Sequence, residues 1–158
     1  MRRVLVPGSF DPVHNGHIEI IERASRLFDE VLIAAVYNPA KTGSLFDMQE
    51  RRDMLFEALE HLPNVTFDFF SGLLVDFAAA HEVSAIVKGL RAVSDFETEL
   101  QMAQMNERLT GIATLFIPTT SKHSFLASRL LVEVARYGGD VSTMVPEGVN
   151  RRFKEKFA

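Results

Sequence analysis

Val4-Leu5-Val6-Pro7-Gly8-Ser9-Phe10-Asp11-Pro12-Val13-His14-Asn15-Gly16-His17 is the stretch that decides the reading of this chain. Val4 to Val6 is a short apolar run of buried-strand type, stopped by Pro7 and Gly8. Asn15-Gly16 then opens a helix, with Ile18, Ile20, Ile21, Ala24 and Leu27 along one stripe. A glycine-containing turn between strand and helix lets backbone approach a ligand closely, and the first amides and dipole of the helix favour phosphate. His17 falls in that first turn, where the dipole disfavours positive charge but leaves a neutral imidazole able to donate to a phosphate oxygen. His14, three residues earlier, can reach the same phosphates. The two histidines could also hold a metal, but the sequence offers no evident third ligand and no HExxH.

Outward from this stretch, strands and helices alternate. Residues 31–36 form a continuous apolar run ended by Asn38-Pro39, and Asp47-Met48-Gln49-Glu50 has capping-box spacing for a helix through Leu59. Residues 65–70 predict a third strand, 72–81 a helix and 85–87 a fourth strand. A second capping box, Ser94-Asp95-Phe96-Glu97, predicts a helix ending near Gly111. Residues 114–117 predict a fifth strand. Ser124 is placed to cap a helix to Tyr137, which Gly138-Gly139 stops, and residues 146–157 predict a last helix with the mixed charges of an exposed surface. Strands so little interrupted by polar residues imply an α/β, doubly wound domain spanning residues 1–158, with a five-stranded parallel sheet covered on both faces. In such sheets ligands bind beyond the strand carboxyl ends, where strand order reverses. Loops 8–17, 38–46, 88–95 and 118–124 should converge there.

Composition narrows the function classes. The 158 residues are 47% hydrophobic and 24% charged, ordinary for a globular domain. With 17 Lys and Arg against 21 Asp and Glu, the chain has no broad basic footprint for nucleic acid, so an anionic ligand must be met by a few placed cations. Absence of cysteine excludes disulfides, zinc–thiolate sites and a cysteine nucleophile. No apolar run has signal-peptide or membrane-span length, so the expected setting is the cytoplasm, without membrane attachment. No GxGxxG follows the first strand, against a dehydrogenase, and no GxxxxGK[ST] occurs, against a P-loop NTPase.

The placed cations can be named. Lys41 lies on a loop containing Pro39 and Gly43, where a flexible ammonium can follow charge developing on phosphorus. Arg91 offers a planar fork for two phosphate oxygens, and Lys88 adds a point charge. Ion pairing with Glu97 and Glu99 is the competing use of these two cations.

The His14-to-His17 segment resembles the (H/T)xGH signature of the nucleotidyltransferase superfamily, whose members share a Rossmann-like fold. Asn38-Pro39-Ala40-Lys41, Lys88-Gly89-Leu90-Arg91 with the residues to Glu97, Glu99 to Asn106, and Glu133 to Asp140 resemble successive blocks of the bacterial phosphopantetheine adenylyltransferases. That resemblance covers nearly the whole chain and implies ATP and 4′-phosphopantetheine as substrates, dephospho-coenzyme A and pyrophosphate as products, and coenzyme A as a product-like ligand. It implies that His17, Lys41 and Arg91 are catalytic, and that Ser9, Phe10, His14, Gly89, Glu99, Ser124 and Ser128 contact ATP alongside His17 and Arg91. Ser9, Lys41, Leu73, Leu74, Lys88, Asn106 and Glu133 would meet the phosphopantetheine. It further implies Mg²⁺ carried mainly on the ATP phosphates, with no protein metal ligands, and a homohexamer. Two departures stand out: Ala127-Ser128-Arg129 replaces three consecutive serines, and His14 replaces the commoner threonine.

Overall fold

Each apolar run pairs with a parallel neighbour, and alternate side chains then point to opposite faces, so both faces need helices. The computed structural model describes residues 1–40, 42–92 and 96–158. Strands β1 (Arg3–Gly8), β2 (Glu30–Val36), β3 (Val65–Phe70), β4 (Ala85–Leu90) and β5 (Ala113–Pro118) form one parallel sheet in the order β3-β2-β1-β4-β5. Among the described residues the helices are α1 (Asn15–Leu27), α2 (Met48–Leu59), α3 (Leu74–Ala80), α4 (Phe96–Thr110), α5 (Ser128–Arg136) and α6 (Glu147–Phe157). Val4, Val6, Val31, Ile33 and Val87 turn to one face and pack with residues of α1, α2, α5 and α6. Leu5, Leu32, Ala34 and Ile86 turn to the other, against Leu74, Phe77 and Ala78 of α3. The doubly wound α/β architecture is thus the one the alternation of elements predicts. No helix among the described residues is long and apolar enough to cross a membrane.

The sheet also shows where a ligand fits. β1 pairs with β2 along its whole length, Arg3↔Glu30 through Gly8↔Ala35, but with β4 only at Val4↔Ala85 and Leu5↔Ile86. Pro7 has no N–H to continue that second ladder. Beyond Leu5 the two strands therefore part, at the point where the chain's winding reverses from the β2 side of β1 to the β4 side.

Three local expectations need amendment. β4 runs to Leu90 rather than ending at Val87, because Lys88 and Gly89 remain paired with Phe116 and Ile117 of β5. Ser124 does not cap α5: residues 121–125 are turns, the Ser124 hydroxyl donates to the Ser121 carbonyl (3.4 Å), and the N-cap is Ala127. α6 is not simply a surface helix, since Val149 and Phe153 are buried in the core. The capping box at Ser94 and Asp95 lies outside the described residues, whereas the one at Asp47 forms, with reciprocal Asp47–Glu50 bonds.

Candidate active site

The parting of β1 from β4 opens a cleft of about 360 Å³. Its walls come from Val6 to Gly8 of β1 and Ser9 and Phe10 after it, Gly16, His17 and Ile20 of α1, Val87 to Gly89 of β4, Arg91, Glu99 of α4, and Ala127-Ser128 at the start of α5. Close approach of these elements depends on glycine at two points. A Cβ on Gly16 would lie 2.9 Å from the His14 ring, and one on Gly89 would lie 2.8 Å from Ile20 Cγ1.

The start of α1 is capped by histidine rather than Ser, Thr or Asp. His14 Nδ1 accepts the N–H groups of Gly16 (3.0 Å) and His17 (3.4 Å), while His14 N–H donates to His17 Nδ1 (3.1 Å). The rings stack with centroids 3.7 Å apart, and Phe10, held at a left-handed φ of 48°, meets His17 edge-on at 4.9 Å. Such backbone strain persists only where surrounding packing enforces it, and Phe10 is 2% exposed. Because His17 Nδ1 accepts, its neutral ring carries the proton on Nε2 and is a fixed donor. Burial holds His17 well below its ordinary value, with His14 and Arg91 adding to the effect. Burial likewise pushes His14 down to about 3, assisted by Arg91 and then His123. Both rings are therefore neutral at physiological pH.

Arg91 crosses from the end of β4 to this pair. Its Nη1 lies 3.0 Å from His14 Nε2 and donates to the Leu126 carbonyl at 2.9 Å. Burial makes its charge costlier, with Glu99 partly compensating. A neutral imidazole accepts at one nitrogen only. The amide cap at His14 Nδ1 and the Arg91 contact at Nε2 thus compete for opposite tautomers. Lys88 Nζ and Glu99 Oε2 are 2.6 Å apart, so the competing ion-pair use of Lys88 is realised, although both residues still line the cleft.

A cytidylyltransferase-like family model matches residues 5–136. The phosphopantetheine adenylyltransferase of Thermobifida fusca is 55% identical over 158 residues, covering 100% of this chain and 96% of that one. That of Streptomyces coelicolor is 54% identical over 156 residues, covering 99% and 98%. The chain belongs to the phosphopantetheine adenylyltransferases. Among solved structures, a Vibrio parahaemolyticus protein described as a nicotinate-nucleotide adenylyltransferase aligns with a TM-score of 0.68 at 19% identity, over 99% of this chain and 95% of the other. That likeness speaks to the fold alone.

Against the site that a phosphopantetheine adenylyltransferase leads one to expect, Ser9, Phe10, His17, Lys88, Gly89, Arg91, Glu99 and Ser128 share the cleft, and His14 backs it. The Ser128 hydroxyl donates to the Pro12 carbonyl (2.8 Å), leaving its backbone at the helix N-terminus. Other expected residues do not line this cleft. Leu73 is an exposed residue preceding α3, Leu74 packs beneath the sheet, and Ser124 sits in the turn before α5. Asn106 is buried on α4, and exposed Glu133 borders a separate groove with Arg129, Val132, Arg136 and Tyr137. Arg129 thus lines that groove and not the cleft that Ser128 lines. Lys41 lies outside the described residues. Residue-type reasoning missed Glu19, whose carboxylate accepts Thr120 N–H (2.9 Å) and contacts His123 Nδ1 (2.8 Å), fastening the loop after β5 to α1. The position of Glu19, between the α1 residues Ile18 and Ile20, carried no motif to mark it.

Proposed function

We propose that this chain transfers the adenylyl group of ATP to the phosphate of 4′-phosphopantetheine, yielding dephospho-coenzyme A and pyrophosphate. A phosphate oxygen of the acceptor forms a bond to the α-phosphorus as the bond to the β,γ-diphosphate breaks, and pyrophosphate leaves with that electron pair. The acceptor is already an anionic nucleophile near neutral pH, so alignment and charge stabilisation suffice and no protein base is required.

The observation that carries this reading is the neutral His17 ring, tautomer-fixed with Nε2–H as donor, beside the Arg91 guanidinium in the β1/β4 cleft. A phosphate oxygen that accepts from Arg91 also ends the contest over His14. The ring then keeps Nδ1 for the amide cap and turns Nε2–H to the anion. Lys41 is assigned to the developing charge between acceptor and leaving group. Ser9, Phe10, Gly89, Glu99 and Ser128 are assigned to ATP with His14, and Lys88 to the acceptor. Ser124, Leu73, Leu74, Asn106 and Glu133 retain the assignments of the resemblance, at positions outside this cleft.

The donors lining the cleft are imidazole, guanidinium, ammonium and hydroxyl groups, and its carboxylate, Glu99, is engaged by Lys88. No group of three or more His, Asp or Glu among the described residues is arranged to hold a metal. Such a lining fits Mg²⁺ bound through the nucleotide's own oxygens, where it would neutralise phosphate charge. Exposed Leu100, Met102, Met105 and Leu109 along α4 support association into the homohexamer that the resemblance implies. A cytoplasmic setting accompanies this reading.

The test is a coupled pyrophosphate assay with ATP and Mg²⁺, comparing 4′-phosphopantetheine with nicotinate mononucleotide. Release with the first acceptor alone is the expected result. Release only with the second would replace the acceptor, and release with neither would leave a nucleotide-binding protein without turnover.

A further inference from the structure

Arg51 on α2 is the most deeply buried cation described, at 3% exposure, and none of the ion pairs among the described residues includes it. Its Nη1 donates to the Ser9 carbonyl at 2.7 Å and to the Val36 carbonyl at 2.9 Å. Its guanidinium carbon lies 5.4 Å from the centre of the Phe69 ring, and its Nε is buried without a partner. Burying an unpaired charge with an unsatisfied N–H is a poor way to stabilise a core. The two carbonyls, however, are informative. Ser9 belongs to the loop after β1 that lines the cleft, and Val36 ends β2, where the segment carrying Lys41 begins. A second tie closes the far end of that segment: the Asp11 carboxylate accepts Leu45 N–H and Phe46 N–H, each at 2.9 Å. Both ends of residues 37–46 are thereby fastened to the loop 9–11.

We infer that Arg51 is a positioning residue for adenylyl transfer, fixing the root of the Lys41 segment to the cleft loop at Ser9, with Asp11 as the second anchor. This inference rests on the role assigned to Lys41 above. Its action is through the register of two loops, so removing it should slow the chemical step more than it weakens ATP binding, since small misplacements of reacting groups are costly.

The test is a double-mutant cycle in steady-state kinetics, with Arg51→Met, Lys41→Ala and the double variant, each checked by circular dichroism and thermal unfolding. Arg51→Met should lower kcat by about tenfold or more while the KM for ATP moves less than about threefold. In the Lys41→Ala background the same substitution should cost less than about threefold, because its target is already gone. The full loss persisting in that background would make Arg51 merely structural and overturn the inference, as would an unchanged kcat. Lys41→Ala with an undiminished rate would remove the Lys41 assignment itself and this inference with it, whereas a slow Lys41→Ala enzyme with additive losses removes only the inference. If Arg51→Met fails to fold, Asp11→Asn, which keeps shape but loses one acceptor, carries the same cycle with the same outcomes.

Discussion

At the scale of single residues, the two histidines illustrate how one side chain acquires two duties. His14 caps a helix through Nδ1 and, by stacking on His17, helps bury a ring whose own Nδ1 is occupied, leaving Nε2–H as donor. Removing that donor in His17→Ala, or the guanidinium in Arg91→Ala, should reduce kcat by about a hundred- to a thousandfold, as for other oxyanion donors, with the fold retained. Near-normal turnover of both folded variants would refute the assignment. Their ionisation also sets a pH dependence for folding. Both rings have folded-state values below the ordinary histidine value, His14 at about 3 and His17 well below 6.5. The unfolded chain therefore takes up protons first on acidification. Stability from keeping these rings neutral is complete above about pH 6.5 and drains away as pH falls towards about 3. Urea unfolding between pH 5 and 7 should show stability falling with acidity, by up to about 1.4 kcal/mol per pH unit for each ring. A flat profile there would contradict the burial of both rings. His14→Gln should flatten it in part.

Between elements, close packing outweighs surface charge. The α1 helix lies against β4 where Gly89 has no side chain, and a Cβ there would meet Ile20 Cγ1 at 2.8 Å. Gly89→Ala should destabilise the fold by about 1–3 kcal/mol through overpacking. Adding Ile20→Ala should recover part of that loss, so that the double variant is more stable than the sum of the singles by more than about 0.5 kcal/mol in denaturant titrations. By contrast, Glu57 joins α2 to α6 through exposed Arg151 and half-buried Arg152, with N–O distances of 3.3 and 2.9 Å. Hydrogen bonding from Arg152 leads the effects that hold the Glu57 carboxyl below its ordinary value. Because Glu57 and Arg151 are exposed and only Arg152 is half-buried, Glu57→Ala should cost no more than about 1 kcal/mol, and less in high salt. A larger, salt-insensitive loss would show that α6 is held chiefly by this cluster and not by Val149 and Phe153.

For the whole molecule, α4 is the element least accounted for by the isolated chain. Of its residues only Asn106 is buried, while Met102, Met105 and Leu109 are each more than half exposed. Assembly into the proposed homohexamer predicts a light-scattering mass well above the 17.7 kDa chain, and Met105→Lys with Leu109→Lys should shift it to smaller species. A monomeric parent protein would end that proposal. What the linear order of residues determined by itself is the alternation of five strands with helices, because apolar runs, the Asp47 cap and the Asn38-Pro39 break are local signals read within a few residues. The HxGH segment and the cations Lys88 and Arg91 were equally legible, since each is a residue type at a chain position that a strand end makes accessible. Only the tertiary structure decided how those groups are used: the parting of β1 from β4 after Leu5, the Lys88–Glu99 pairing, the diversion of Arg129 to another groove and the burial of Arg51 between two loops. The parting and the Arg51 ties join residues 15 to about 80 positions apart, and even the Lys88–Glu99 pair spans 11 residues and two elements, so no local preference of the chain specifies which carbonyl, ring or carboxylate a side chain will meet.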